Sequence, residues 1–239
     1  MKKLMAIFAA SSILGAASVG IASEPIKYSN VSSDKTLELK LDETTKRNEE
    51  ITNFYKKGNK TWEFGIMVGN TLPILGTEEK DANFILGGVS LHRGKMLCDL
   101  SESDILPKGY VNNYEFSYGP NLSLSEKGFF AGIEARLTTH IMPEDKSIII
   151  SPLIGFGVQA NDMYKNNVEQ QAIGQQFTFD MTAGLKVKIP KWSNKVSYGV
   201  GFNHKSYGGK FLSNWSDDAG VPNRNHGLNT VFATINYNF

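Results

Sequence analysis

The chain has 239 residues, a formal net charge of +1 and 41% hydrophobic residues. Such balance leaves no electrostatic footprint for nucleic acid, and a single cysteine, Cys98, excludes an internal disulfide framework. No segment after the N-terminus approaches the ~18 consecutive apolar residues of a transmembrane helix, so the chain fits one all-β domain or a modest α/β domain.

The first residues, "MKK", are a short positive region, and the apolar, small-residue run "LMAIFAASSILGAASVGIAS" follows. This is the pattern of a secretory signal peptide over residues 1–23, with cleavage near Ala22 or Ser23. A membrane anchor is the competing reading, but serines and glycines break the run and small residues end it. Residues 24–60 form a polar lead-in. Within it "DETTKRNEEITNFYKKGN" predicts a short helix from Glu43 to Lys57, with acidic residues near its start and Lys56, Lys57 and Gly58 near its end. Its apolar positions are too few for a core element.

From Thr61 to Phe239 the texture changes to long runs of period two. "TWEFGIMVG" places Trp62, Phe64, Ile66 and Val68 on one face. "NYEFSYGPNLSLS" does the same with Tyr114, Phe116, Tyr118, Leu122 and Leu124, and "GFFAGIEARLTT" with Phe129, Ala131, Ile133, Ala135 and Leu137. In "QQFTFDMTAGLKVKI" the alternation runs from Phe177 to Ile189, well beyond the ~5–6 residues of a typical soluble strand. The opposite faces are rich in Gly, Ser and Asn and carry Glu115, Glu134, Arg136, Asp180 and Lys186. Those charges suit a packed barrel lumen, as an ion-pair and hydrogen-bond network, or the lining of a pore or site. The final strand, "NTVFATINYNF", aligns Val231, Ala233, Ile235, Tyr237 and Phe239 and closes on an aromatic residue, which resembles the last strand of bacterial outer-membrane barrels.

Eight strands are predicted, near 61–69, 82–93, 110–124, 129–141, 148–160, 175–189, 194–206 and 228–239. The predicted fold is all-β: an eight-stranded antiparallel transmembrane β-barrel of the outer-membrane type, spanning 61–239, after export to the bacterial outer membrane. "MPEDKS" and "PKWS" become periplasmic turns, and 161–174 and 207–227 extracellular loops. Residues 94–109 fit poorly, being a long connection where short turns are usual.

The stretch "GFNHKSYGGK" then acquires a direction. Val196, Tyr198, Val200 and Phe202 define the lipid-facing parity of their strand, and His204 and Ser206 continue it. On the last strand the same face extends from Val231 back to Asn229. Pairing these strands brings His204, Ser206 and Asn229 together on the outer wall near the extracellular rim, at headgroup depth. Polar residues at a strand end are the plainer reading; a reactive cluster is the sharper one. His92 and His140 fall at strand ends and His226 in a loop, without partners in the pattern or metal-ligand spacing, so neither a metal nor another cofactor is expected. Cys98 has no histidine tied to it by sequence.

Residues 145–239 resemble the lipid A 3-O-deacylase (PagL-like, acyloxyacyl hydrolase) family. The resemblance is carried by "HKSYGG", "VPNRNHGLN", "TVFATINYNF" and the upstream strands "SPLIGFGVQAND" and "IGQQFTFDMTAGLKVKI"; residues 61–144 share only general barrel character. It implies a serine esterase acting on lipid A of outer-leaflet lipopolysaccharide. His204 would be general base, Ser206 nucleophile and Asn229 the residue orienting the imidazole. The chain departs from the family pattern at Tyr207, where the family has asparagine, and at Asn229, where glutamate also occurs. The Gly208 and Gly209 N–H groups stand as possible oxyanion donors. "KFLSNWSDDAG" looks like an insertion, in which Asp217 or Asp218 is either a replacement acid reaching back to the site or, the plainer reading, a solvated loop carboxylate. A catalytically silent structural or adhesive barrel of the same descent is the alternative function, and a small porin ranks behind it.

Overall fold

The computed structural model describes residues 33–72, 84–126, 128–161, 177–207 and 227–239. The signal segment, His226, Asp217, Asp218, Gly208 and Gly209 lie outside the described residues. The chain divides after Lys46 into two compact units. A helix, α1 (Ser33–Phe54), begins in the first unit and ends in the second. It starts ten residues before the predicted Glu43.

Nine strands follow: β1 (Lys60–Leu72), β2 (Ile85–Met96), β3 (Ser101–Glu102), β4 (Tyr110–Ser125), β5 (Gly128–Pro143), β6 (Ile149–Asn161), β7 (Phe177–Lys188), β8 (Val196–Tyr207) and β9 (Gly227–Asn238). Eight of them close a fully antiparallel barrel, because β1 pairs with both β2 and β9, and β2 pairs with β4. The two-residue β3 is an addition to the start of β4, through Ser101↔Asn112 and Glu102↔Val111. It resolves the awkward 94–109 connection: β2 runs on to Met96, and part of the remainder pairs back onto the sheet.

The stagger of the barrel follows from its register. One pairing row runs from Gly65 through Asn236 to Ser197 on β8. In the other direction it runs from Gly65 through Ser90, Asn121, Gly132, Gln159 and Thr178 to Tyr207, also on β8. From Ser197 to Tyr207 is a shear of ten residues over eight strands. At this strand number side chains fill the interior.

Among the described residues the predicted outward faces are outward. Trp62, Phe64, Ile66 and Val68 are exposed, as are Phe116, Tyr118, Leu122 and Leu124, and Val231, Ile235, Tyr237 and Phe239. The alternate positions are mostly buried and polar, and Glu115, Glu134, Arg136, Asp180 and Lys186 all face inward. They form the expected ion-pair network. Arg136 Nη2 lies 2.8 Å from Glu134 and Nη1 3.6 Å from Glu63, while Lys186 Nζ lies 2.7 Å from Glu63. Near the top of the lumen Lys205 Nζ reaches Gln159 at 2.7 Å and Asp180 at 3.2 Å. Burying these charges is tolerable because each has a partner. Glycine makes room for them: a Cβ at Gly155 would run into Glu134 Oε1, and one at Gly94 into Glu115 Oε1.

Two apolar clusters lie at the two ends of the barrel. At the long-loop end Phe84, Leu86, Phe130 and Leu228 pack together inside the wall. At the opposite end Met96, Met142 and Ile149 pack on Ile51 and Tyr55, which come from the last turn of α1 and the residue after it. This corrects the reading of that segment as too polar for the core: two apolar residues four apart make one helical stripe, and both are used. The Tyr55 carbonyl accepts a hydrogen bond from the Asn113 carboxamide, and the Tyr55 ring lies 4.8 Å from that of His140. Burial, reinforced by Glu115 and Glu63, pushes the Tyr55 phenol well above its ordinary pKa and keeps it neutral. Between the two clusters lies a cavity of about 60 Å³, lined by Glu134, Arg136, Lys186 and Lys205 among others. It has room for a few waters.

Candidate functional site

The outward parity of β8 places His204 on the outer wall. Its neighbours Asn203 and Lys205 are 8% and 3% exposed and point into the lumen, whereas Phe202 is 41% exposed. His204 itself is half-buried. It pairs across the sheet with Met181 on β7 and Asn229 on β9. Asn229 is likewise half-buried and pairs on its other side with Leu72 of β1.

His204 and Asn229 are joined. The imidazole Nδ1 lies 2.8 Å from Asn229 Oδ1. A carboxamide oxygen only accepts, so Nδ1 carries the proton and donates it, and Nε2 becomes the basic nitrogen. The asparagine therefore fixes both the ring's tautomer and its orientation.

Ser206 lies two residues further along β8 at the same parity, opposite Phe179 and Gly227. Residues i and i+2 on a strand are ~6.5–7 Å apart at Cα, within reach of an imidazole and a hydroxyl. Tyr207 ends the strand opposite Thr178. Around the cluster the wall is apolar: Leu72, Phe179, Met181, Phe202 and Val231 are all exposed. An acyl chain has a surface to lie on beside the polar group.

His140, without partners in the sequence pattern, has two hydrogen-bond partners. His140 Nδ1 lies 2.9 Å from Ser151 Oγ, and its Nε2 lies 3.1 Å from Glu115 Oε2. Glu115 Oε1 accepts in turn from the Thr61 hydroxyl. His92 Nε2 lies 3.7 Å from Glu134. Neither residue is at a strand end, and both face the lumen. Ser151, His140 and Glu115 have the composition of a hydrolytic triad, but all three are buried beneath Tyr55, beside a cavity of about 10 Å³. No ester substrate fits there, so this group belongs to the interior network. Sequence alone gave no signal for it, since its members come from three strands. Cys98, partly exposed, has its thiol 3.5 Å from Asn113 Oδ1.

Neither a protein-family model nor a curated protein matches the sequence. Among solved structures the chain is similar to the outer membrane enzyme PagL, at 15% identity over 73% of this chain and 97% of that one, with a TM-score of 0.45. It is also similar to the N-terminal β-barrel domain of Pseudomonas aeruginosa OprF (14% identity, 77% and 100% covered, TM-score 0.37). A third is Ail, the attachment invasion locus protein of Yersinia pestis (8% identity, 77% and 99% covered, TM-score 0.35). The wall itself decides the location: a closed barrel without free edges, apolar and aromatic outside and polar within, satisfies every backbone group in lipid. This is a bacterial outer-membrane barrel. In such barrels the short turns are periplasmic. The His204–Asn229 end, opposite the 144–148 and 189–195 turns, is then the extracellular one.

Proposed function

We propose that the protein is an outer-membrane serine esterase that removes an ester-linked (3-O) acyl chain from lipid A in the outer leaflet. The observation that carries the reading is the 2.8 Å contact between His204 Nδ1 and Asn229 Oδ1 on the lipid-facing wall. An ionisable side chain oriented by a hydrogen bond on an otherwise apolar wall marks a candidate reactive group. The resemblance of "HKSYGG" and "VPNRNHGLN" to the deacylase pattern supports the same assignment.

In the proposed reaction His204 Nε2 takes the Ser206 hydroxyl proton as the oxygen attacks the ester carbonyl. The tetrahedral oxyanion collapses, the sugar alkoxide leaves with the proton returned by His204, and the acyl group remains on Ser206. Water, activated by the same imidazole, then releases the fatty acid. Asn229 holds the ring through both steps. Being neutral, it stabilises the imidazolium less than a carboxylate would. A site on the outer wall meets its substrate where the lipid already lies, with no need to extract it from the membrane.

The test is mass spectrometry of lipid A from cells producing the wild type or Ser206→Ala. Loss of one hydroxyacyl chain with the wild type alone supports the reading; identical spectra overturn it. An eight-stranded interior only wide enough to be filled by side chains speaks against the porin alternative.

A further inference from the structure

The outer wall carries one more polar interruption near the site. Asn70 on β1 shares the outward parity of Trp62, Phe64, Ile66, Val68 and Leu72 and is exposed. It pairs with Val231 on β9 and Ile85 on β2, both exposed apolar residues. Among the described residues of the upper outer wall, the apolar pattern breaks at Asn70, His204 and Asn229, and at Ser206 by register. These positions occupy three adjacent strands, β8, β9 and β1.

The shear brings them to one depth. Ten residues of stagger over eight strands amount to about one and a quarter residues per strand. The pairing row climbs toward the extracellular rim from β8 to β9 to β1, so positions level with one another lie off the row by that amount. The position on β1 level with Asn229 is therefore below its partner Leu72, just above Asn70. On β8 it is above its partner His204, between His204 and Ser206. All four residues fall within ~3–4 Å of a single plane parallel to the membrane. Asn70 and Asn229 are diagonal neighbours, ~7–8 Å apart at Cα. Asn70 is in register, through Val231, with Phe202 on β8, four residues before Ser206, so two strand widths and that offset put Asn70 roughly 16 Å from Ser206 along the wall at Cα.

We propose that Asn70 is a specificity residue that hydrogen-bonds a second acyl linkage of the same lipid, one held at the depth of the scissile ester. This rests on the esterase reading and deepens it. A carboxamide presents a donor and an acceptor together, which matches an amide linkage, the group expected where a second acyl chain joins an amino sugar. Asn70 Nδ2 lies 3.3 Å from the Thr71 carbonyl, which holds the carboxamide at the strand end. The separation from Ser206 selects for an amphiphile with several acyl linkages side by side at one depth. A single-chain ester cannot span it.

The experiment compares the full-length wild type, Asn70→Leu and Ser206→Ala in detergent micelles. Folding is checked first by heat-modifiable electrophoresis; leucine suits the lipid-facing position. Cleavage is measured on purified lipid A and on p-nitrophenyl dodecanoate, and lipid A binding is titrated in the Ser206→Ala background with and without Asn70→Leu. Asn70→Leu is expected to lower kcat/KM on lipid A about tenfold, the worth of one hydrogen bond, and to leave the nitrophenyl ester unchanged. Lipid A binding should weaken by a similar factor. Equal effects on both substrates, or none on either, would overturn the assignment of Asn70. A wild type inactive on both substrates whose lipid A binding still needs Asn70 would remove the esterase reading and leave this one standing.

Discussion

Replacing Lys205 with methionine tests how the interior holds the outer site. Lys205 sits between His204 and Ser206 on β8 and points inward, 3% exposed. Its ammonium lies 2.7 Å from Gln159 Oε1 and 3.2 Å from both Asp180 oxygens, and 4.8 Å from the centre of the Phe130 ring. Asp180, 4% exposed, would lose this cation. Removing one partner of a buried ion pair costs about 3–5 kcal/mol, whereas replacing both by apolar or neutral groups is often near neutral. With a urea dependence of about 2 kcal/mol per molar, Lys205→Met should lower the unfolding midpoint by about 2 M. Lys205→Met combined with Asp180→Asn should recover most of that loss. The assay is equilibrium unfolding in lipid vesicles, followed by tryptophan fluorescence and by the shift between folded and unfolded bands on gels. Because β8 is pinned at this residue, lipid A cleavage by the single variant should fall more than its folded fraction does. A single variant as stable as the wild type, or a double variant worse than the single, would refute the reasoning.

Asn229→Leu removes the acceptor that orients His204 and should reduce kcat/KM on lipid A about tenfold. Asn229→Asp should raise it by a similar factor, since a charge-assisted hydrogen bond is roughly twice as strong; steady-state kinetics on both variants decide. The wild type should show no steady conductance in planar bilayers, because eight strands leave an interior only wide enough for side chains to fill. Ile51→Ala, which empties a position 4% exposed in the lower cluster, should cost about 2–4 kcal/mol in urea unfolding. In the 144–148 turn, Asp145 accepts from the Ser147 backbone N–H at 3.0 Å and its hydroxyl at 2.8 Å, which lowers the carboxyl's pKa. A depressed pKa stabilises the fold above the ordinary carboxylate range and loses that effect as pH falls through the lowered value. The small stability gap between wild type and Asp145→Asn should therefore be present at pH 7 and vanish in acid, as unfolding midpoints across pH would show.

The strands were legible because each has one face in lipid and one in the lumen, which writes period two into the chain for twelve residues or more. Parity then gave the direction of His204 and Asn229 without coordinates. What stayed hidden depends on pairing between distant strands. The Ser151–His140–Glu115 group draws on β6, β5 and β4 and leaves no local signature. Asn70 fell just beyond the predicted end of the first strand, and its depth emerges only from the shear. Ile51 and Tyr55 were passed over because two apolar residues in a charged helix look incidental until the barrel base beneath them is known.

The most direct measurement is the mass of lipid A from cells expressing the wild type, Ser206→Ala and Ser151→Ala, with barrel folding verified for each. The account predicts loss of one ester-linked hydroxyacyl chain with the wild type and with Ser151→Ala, and intact lipid A with Ser206→Ala. Intact lipid A with the folded wild type, or cleavage that survives Ser206→Ala, would contradict it.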